Sequence, residues 1–516
     1  MWGGAVASPV DRSSTTRAAE STTPPPAVAR FARGPVLGIA AVVGLLLVAV
    51  SERYGYLSDE LYFLAAGKYH LDWGYMDQQP LVPLLARGLD AAFPGSLLAF
   101  RLPAVVATIL GIIVTALIAR ELGGDRRAQI LAAAAYPLAP WLLLSGHWLA
   151  AATFEPLQWN LIILLLARWT RLRTQGIERD RLLVAVGLVA AVSLQNKFQV
   201  AVLCTAFLIS VWAVGPRLLL RRPALWIAVG LAVVVAAPTL LWQAQHGWPA
   251  LDMGAVVDAE TDRLLFLPTT LLYAGLPVGA VLVCAGWWYL LRSPALRPHR
   301  YLGWAATLVV LFFLVVSGRP NYLAGLYGLL FAAAAVGLQA RRRSTTRPRL
   351  RWLPWPAYLL SALLPLALLP IYPLPVLARH PEIPSFSRLY ETGWQDLART
   401  VADTYHSLPD GLRQRTAIVG QTYYLTGAID VHGPELGLPR AHSPHRGYWF
   451  FGPPPDEADA VLYVGNDGAL APHFHRERQL STVISPLENL AQGNAITLYE
   501  QPAAPWPQLW EQLRTM

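Results

Sequence analysis

Directly after its first long apolar run, residues 35–50, the chain reads Tyr54-Gly55-Tyr56-Leu57-Ser58-Asp59-Glu60-Leu61-Tyr62-Phe63. Two adjacent carboxylates among three tyrosines are unusual at the end of an apolar run. A polar, aromatic segment follows at residues 71–81, and the next apolar run begins near residue 97. The pattern predicts a loop, residues 52–96, at a membrane surface between the first two membrane spans.

The composition supports a membrane protein. Charged residues make up 14% of the 516, whereas soluble domains are usually near a quarter charged. We expect a mainly α-helical polytopic membrane protein with about eleven transmembrane helices. A cleaved signal peptide is the alternative for the first run, and the long preceding segment disfavours it. The predicted spans are approximately 35–50, 97–119, 128–146, 149–167, 182–196, 198–214, 224–242, 266–291, 301–317, 322–340 and 353–376.

The arginines indicate the topology. They concentrate in alternate loops, namely residues 120–127, 168–181, 217–222, 292–300 and 341–351. Positively charged loops stay in the cytoplasm, so the loop with Asp59 is expected to face outside. The formal charge of +9 is therefore explained by arginines in loops on one side of the membrane, and a nucleic-acid partner is not expected. Cys204 and Cys284 lie inside apolar runs, so no structural disulfide is expected.

Three regions are predicted from these changes in composition. Residues 1–34 are rich in Ser, Thr, Pro and Ala and are expected to be a disordered cytoplasmic segment. Residues 35–376 form the transmembrane domain, and residues 377–516 form a small extracytoplasmic α/β domain. In that domain, Trp394 to Tyr405 has helical spacing, and strands are predicted at 416–419, 460–464 and 495–499.

The carboxylate pair lies where a short helix is expected to start. Ser58 can cap a helix that begins at Asp59, which places Asp59 and Glu60 in the first turn, where the helix dipole favours carboxylates. The alternative is that both are surface residues at a helix start. The surrounding tyrosines and tryptophans also fit an aromatic belt at the membrane interface.

The first outer loop resembles that of the glycosyltransferase family 39 membrane proteins, relatives of the protein O-mannosyltransferases and the aminoarabinose lipid A transferases. Further resemblance lies at residues 153–156, 196–197, 319–324, 420–424, 437–439 and 445–449. Bacterial relatives often have Gln-Pro-Pro where this chain has Gln78-Gln79-Pro80, and His-Asn where it has His445-Arg446.

The resemblance implies the GT-C fold and an enzyme that works outside the cytoplasm. It would move a sugar from a polyprenyl phosphate to an acceptor hydroxyl with inversion at the anomeric carbon. Such a single displacement needs one carboxylate base, which the resemblance assigns to Asp59. Glu60 is expected to orient the acceptor or to hold the loop, or it is a solvated charge at the helix start.

The leaving lipid phosphate needs fixed cations. The candidates are Lys197, Arg319 and Arg101, and the alternative for each is a side chain that snorkels from a helix end. Glu155 is expected to pair with Lys197 or to contact the donor sugar, and a purely structural ion pair is the alternative. The other candidate substrate-binding residues are Tyr56, Tyr62, Asp77, Gln78 and Tyr322.

No metal or other cofactor is expected, because no His, Cys, Asp or Glu cluster has metal-binding spacing. Residues 252–262 form either a solvated acidic loop or a site for a divalent cation. The expected partners are the lipid bilayer, the polyprenyl-phosphate sugar and an acceptor protein, lipid or glycan, in the plasma membrane. The alternatives are a transporter or flippase of lipid-linked sugars, which would show inverted half-repeats, and a non-catalytic membrane scaffold. The residues do not distinguish one sugar or acceptor from another.

Overall fold

The computed structural model describes residue 3 and residues 28–344 and 354–516. The segment predicted to be disordered, residues 1–34, therefore lies outside the described residues except for residue 3 and residues 28–34. Helix α1 begins at Arg33, two residues before the predicted start of the first span.

The first two thirds of the chain are helical. The helices are α1 (Arg33–Val50), α2 (Ser58–Tyr69), α3 (Leu81–Ala92), α4 (Leu97–Glu121), α5 (Arg126–Ala135), α6 (Pro140–Ser145), α7 (Ala151–Thr174), α8 (Arg181–Leu194), α9 (Gln199–Val214), α10 (Pro223–Gln245), α11 (Pro249–Glu260), α12 (Phe266–Ala274), α13 (Val278–Arg292), α14 (Arg300–Val315), α15 (Tyr327–Ser344), α16 (Pro354–Ser361) and α17 (Leu363–Leu368).

Five helical segments among the described residues are long and apolar enough to cross a membrane. A sixth is added if the bent pair α12 and α13 is one span, and three shorter apolar helices accompany them. The chain is therefore polytopic, as expected. The five segments are Arg33–Val50, Leu97–Glu121, Pro223–Gln245, Pro294–Val315 and Pro320–Arg342.

Three predicted spans are interrupted rather than continuous. The span predicted at 128–146 is divided into α5 and α6 by a 3-10 turn that contains Pro137, and Pro140 is the first residue of α6. The span predicted at 266–291 bends by 109° between α12 and α13. Gly275 lies at that bend with a φ of +103°, a conformation that glycine tolerates best. The third, predicted at 353–376, is divided into α16 and α17. Proline at the first break and glycine at the second disrupt regular helical backbone geometry.

The basic loops lie together at one end of the helices, as the sequence predicted. His299 Nε2 of the fourth basic loop lies 3.2 Å from the Ala167 carbonyl oxygen of α7. Ion pairs connect the other loops: Arg171–Glu121 at 2.5 Å, Arg342–Asp125 at 2.5 Å and Arg222–Glu178 at 2.9 Å. Each pair joins loops that are distant in sequence, so these loops share one face of the helical domain.

The last part of the chain forms a five-stranded mixed sheet in the order β2-β1-β3-β5-β4. β1 is parallel to β2 and β3, and β5 is antiparallel to β3 and β4. The strands are β1 (Thr416–Gly420), β2 (Ala441–His442), β3 (Ala460–Val464), β4 (Phe474–Thr482) and β5 (Ala495–Pro502). The helices are α18 (Leu374–Arg379), α19 (Phe386–Glu391), α20 (Trp394–His406), α21 (Asp410–Arg413), α22 (Tyr423–His432) and α23 (Trp506–Leu513).

The predicted helix and the three predicted strands of this region are confirmed. Every residue of β1 and β3 is buried, and strands in such a position need mostly apolar side chains. Sequence reasoning did not find β2, which has two residues, or β4. β4 lies at the edge of the sheet and carries exposed Arg476, Glu477 and Arg478, charges that protect an edge strand but hide its pattern.

Candidate active site

Asp59 lies in the first turn of α2. Sequence reasoning placed Ser58 as the cap, but Ser58 is already the first residue of the helix and the cap is Leu57. Glu60 does the capping instead, since its Oε2 accepts a hydrogen bond from the Leu57 backbone amide at 2.8 Å. Asp59, the second residue of the helix, is half-buried. Its Oδ1 accepts a hydrogen bond from the Tyr423 hydroxyl at 2.7 Å.

Asp59 lines a cavity of about 450 Å³, called here the Asp59 cavity. Seven of the eleven predicted site residues line it, although up to 263 positions separate them in the sequence. Its apolar side includes Phe198, Val202, Phe312 and Phe313 from α9, α14 and the turn before α9. The seven predicted residues are Asp59, Tyr62, Asp77, Gln78, Lys197, Arg319 and Tyr322.

Two arginines meet one carboxylate at the rim of this cavity. Glu260, the last residue of α11, pairs with Arg319 through Oε2 and with Arg446 through Oε1, the latter at 2.8 Å. Burial opposes its ionisation, yet the hydrogen bonds and charges of both arginines hold the pKa of Glu260 below its usual value. Arg319 and Arg446 both line the cavity, so Glu260 neutralises part of its positive charge.

Lys197 is the third cation of the cavity. Its Nζ lies 3.5 Å from Glu155 Oε2 and 4.4 Å from the centre of the Tyr322 ring. The pairing of Glu155 with Lys197 follows the first of its sequence-based interpretations. Glu155 itself does not line the cavity, and its buried Oε1 has no hydrogen-bond partner among the described residues.

Asp77 accepts a hydrogen bond on Oδ1 from the Tyr62 hydroxyl at 2.8 Å. Burial raises the pKa of Asp77 to about 6, and the negative charge of Asp59 acts in the same direction. Burial also raises the pKa of Tyr62 well above its usual value. The cavity therefore holds two carboxylates in different environments, and Asp77 changes charge near pH 6.

Four predicted site residues do not reach the cavity. Arg101 is fully buried beside Glu60, with Nη2 2.6 Å from Glu60 Oε2, and it also contacts Glu391 of α19 at 3.5 Å. A buried guanidinium in this position is a partner for carboxylates and not for a ligand phosphate. Tyr56 packs edge-on against Phe100 with ring centres 5.4 Å apart. The four are Glu60, Arg101, Tyr56 and Glu155.

Arg101, Glu60, Glu391 and His147 form one buried charged cluster. His147 Nε2 lies 3.2 Å from Glu391 Oε2 and 2.9 Å from Arg101 Nη1. Although burial alone raises it, the charges of His147 and Arg101 hold the pKa of Glu391 at about 2. Glu60 Oε1 also accepts the Leu149 amide at 2.8 Å. The cluster thereby attaches the start of α2 to α4, to the α6–α7 turn and to the C-terminal region.

The C-terminal region packs directly on α2. The Gly55 amide donates to the Glu391 carbonyl oxygen at 2.9 Å, and Trp394 Nε1 donates to the Tyr56 carbonyl oxygen at 3.0 Å. Gly427 of α22 lies so close to α2 that an added Cβ would be 3.1 Å from the Tyr62 amide nitrogen. This packing brings Tyr423 and Arg446 into the Asp59 cavity.

Sequence reasoning did not assign roles to Tyr423, Arg446 or Glu260. Two signals were present: Tyr423 lies in a segment that carried the family resemblance, and Arg446 stands where relatives often have Asn. Glu260 belongs to the stretch 252–262, which was expected to be an acidic loop. Most of that stretch is α11, and Asp252, Asp258 and Glu260 each pair with arginine. Among the described residues, no group of three or more His, Cys, Asp or Glu side chains could hold a metal ion.

Comparison with known proteins shows a similarity to one family over part of the chain and a similar fold over most of it. Residues 77–242 match the family described as dolichyl-phosphate-mannose-protein mannosyltransferase. This segment contains Asp77, Arg101, Glu155 and Lys197 and begins after Asp59. None of the curated protein sequences compared with this chain matches it.

Two solved structures have a similar fold. ArnT from Cupriavidus metallidurans bound to undecaprenyl phosphate aligns with a TM-score of 0.55 at 14% identity, over 90% of this chain and 97% of that chain. The same protein in the apo state aligns with a TM-score of 0.55 at 15% identity, over 90% of this chain and 96% of that chain. The chain therefore shares the fold of ArnT, and the family match over residues 77–242 confirms a resemblance to the membrane mannosyltransferases.

Proposed function

We propose that the chain is an inverting glycosyltransferase that moves a sugar from a polyprenyl phosphate to an acceptor hydroxyl. The observation that carries the proposal is the Asp59 cavity, where one helix-start carboxylate shares about 450 Å³ with Lys197, Arg319 and Arg446. That a relative in fold, ArnT, was solved with undecaprenyl phosphate bound supports this class of donor.

In the proposed reaction, Asp59 takes the proton of the acceptor hydroxyl as the acceptor oxygen bonds to the anomeric carbon. The bond from that carbon to the phosphate oxygen breaks, and its electron pair leaves with the lipid phosphate. General-base help of this kind contributes about 10²- to 10⁴-fold in rate. The hydrogen bond from Tyr423 leaves Asp59 Oδ2 for the acceptor proton and fixes the carboxylate orientation.

The lipid phosphate gains negative charge as it leaves, and preorganised cations stabilise that charge. Lys197, Arg319 and Arg446 line the cavity and are the proposed phosphate-binding residues. Glu260 holds two of them in the free protein, so the phosphate would replace its carboxylate. The apolar side formed by Phe198, Val202, Phe312 and Phe313 would receive the first isoprene units of the donor.

We also infer the orientation in the membrane. If each interrupted helix counts as one span, the chain crosses eleven times: α1, α4, α5–α6, α7, α8, α9, α10, α12–α13, α14, α15 and α16–α17. The shared face of the basic loops would then be cytoplasmic, and the Asp59 cavity would face outside the plasma membrane together with the C-terminal α/β region. That region would then complete the active site through Tyr423 and Arg446.

The test is sugar transfer in membranes supplied with radiolabelled polyprenyl-phosphate sugars, one sugar at a time. The wild type is compared with Asp59→Asn and with Asp90→Asn, a matched change at a carboxylate that pairs with Lys68 at 3.1 Å outside the cavity. We expect product from the wild type and Asp90→Asn, and at least about a hundredfold less from Asp59→Asn. The sugar that reacts also identifies the donor.

Other outcomes separate the alternatives. Equal transfer by the wild type and Asp59→Asn would remove Asp59 from the role of base. Lipid flipping that persists in Asp59→Asn, without transfer by the wild type, would favour a transporter. A non-catalytic scaffold would tolerate substitution of Asp59, Lys197 and Arg319 alike.

A further inference from the structure

A second large cavity, called here the basic cavity, lies at the other end of the helices that line the Asp59 cavity. α7 begins beside the Asp59 cavity and ends at the basic cavity. Its 24 residues span about 36 Å, more than the roughly 30 Å of a bilayer core. α9 and α14 also contribute residues to both cavities. The two cavities therefore lie at opposite faces of the membrane domain.

The basic cavity has a volume of about 740 Å³ and a distinctive lining. Arg173, Arg297 and Arg300 come from the end of α7, the turn before α14 and the start of α14. Trp169 and Trp304 form aromatic walls, and the lining residues that the structure describes include no carboxylate. Three guanidinium groups thus surround one concave space wide enough for a lipid headgroup or a small organic phosphate.

Two of these arginines have no acidic partner in the part of the chain that the structure describes. Arg173 pairs with Glu178. Within residues 28–344 and 354–516, no ion pair is formed by Arg297 or Arg300, and the buried Nε of Arg300 has no hydrogen-bond partner. A buried, unpaired donor is unfavourable, so a ligand that accepts a hydrogen bond there would remove a penalty.

The simplest alternative is that these arginines only mark a cytoplasmic face. Other arginines of this face, Arg171, Arg222 and Arg342, are each paired with Glu or Asp. Arg126, Arg168 and Arg221 of this face also form no ion pair among the described residues, and none of them lines the basic cavity. Arg297 and Arg300 differ because they lie with Arg173 around one cavity. Trp304, 43% exposed, lies beside it, and tryptophan is typical of membrane interfaces. Membrane topology explains why arginines lie on this face. It does not explain why three of them surround one cavity.

We propose that the basic cavity binds a phosphate-bearing anion at the membrane face opposite Asp59. Guanidinium groups suit phosphate because their planar donors pair with two oxygens at once, and basic pockets between transmembrane helices bind phospholipid headgroups. The phosphate belongs either to an anionic phospholipid of the inner leaflet or to a soluble phosphate compound. The binding is independent of sugar transfer at Asp59.

The test uses the purified full chain in a neutral detergent. Binding of phosphatidylglycerol and, separately, of sn-glycerol 3-phosphate is measured by the shift in thermal unfolding midpoint during titration. The wild type is compared with Arg297→Gln and with Arg297→Gln/Arg300→Gln. The matched control is Arg221→Gln, an equal charge change at an exposed arginine of the same face outside the cavity. Arg297 is exposed, so the single variant keeps the fold.

We expect Arg297→Gln to weaken binding severalfold and the double variant to raise the dissociation constant at least about tenfold, with Arg221→Gln unchanged. Because phosphate also suits the Asp59 cavity, Lys197→Gln is included and is expected to leave this binding intact. Saturable binding of phosphatidylglycerol alone identifies a lipid site, and equal binding of the soluble compound identifies a soluble ligand. No saturable binding of either, or an equal loss in Arg221→Gln and the double variant, would overturn the proposal.

Discussion

Glu260 offers the sharpest test of how the donor phosphate is held. It neutralises Arg319 and Arg446 in the free protein, and the proposed phosphate would have to displace it. Glu260→Gln keeps the size of the side chain and removes its charge. The side chains of Glu260, Arg319 and Arg446 are 42%, 36% and 16% exposed, so both ion pairs are partly solvated.

The expected effect follows from that exposure. Partly exposed ion pairs are worth about 0.2–1 kcal/mol each, so displacing two costs about 0.4–2 kcal/mol. Removing this cost is expected to lower the dissociation constant for a polyprenyl phosphate by about 2- to 30-fold. The gain should shrink at high salt, because salt screens charges near the surface.

The assay is titration of purified protein with undecaprenyl phosphate at two salt concentrations. Glu488→Gln is the matched control, since Glu488 pairs with Arg388 at 3.3 Å away from the cavity. An affinity that stays constant or decreases in Glu260→Gln would mean that Glu260 does not compete with the phosphate. An equal gain in both variants would attribute the effect to net charge alone.

Substitutions at Arg101, Asp77 and Tyr423 have separate expected effects. Arg101→Met leaves Glu60 and Glu391 without their shared cation, so we expect stability to fall by about 3–5 kcal/mol. The loss would be measured as a large drop in the thermal unfolding midpoint. A loss below about 1 kcal/mol would contradict this expectation. The pKa of Asp77 is raised to about 6, so the free energy of unfolding should fall as pH rises from about 4 to 6. Asp77→Asn still accepts the hydrogen bond from Tyr62 and should remove this fall. The same pH dependence of the unfolding free energy in the wild type and in Asp77→Asn would contradict the prediction. Tyr423→Phe frees Asp59 to rotate and should lower kcat about tenfold or more with little change in donor KM, whereas Tyr424→Phe should leave both unchanged.

Part of the site could be predicted from the sequence because its residues are close together or have a strong local signal. Asp59, Tyr62 and Asp77 belong to one loop, and a carboxylate pair next to an apolar run is conspicuous. Lys197 and Arg319 could be placed on the same side as Asp59 because alternate loops face the same way. Arg101 was also predicted on the side of Asp59, but the structure places it against Glu60. The sequence pattern predicts the side of the membrane on which a residue lies and not the direction of its side chain.

The membrane character, the grouping of the basic loops and the central strands of the C-terminal sheet could all be predicted from the amino-acid sequence. These features depend on local hydrophobicity, charge and periodicity, which a single chain displays directly. Three features depend on the folded chain: where three spans break, that Glu60 caps α2 and binds Arg101, and that Tyr423 and Arg446 line the Asp59 cavity. Tyr423 lies 364 positions from Asp59. Such a contact arises from the packing of α22 on α2, and packing between distant segments leaves no periodic pattern in the sequence.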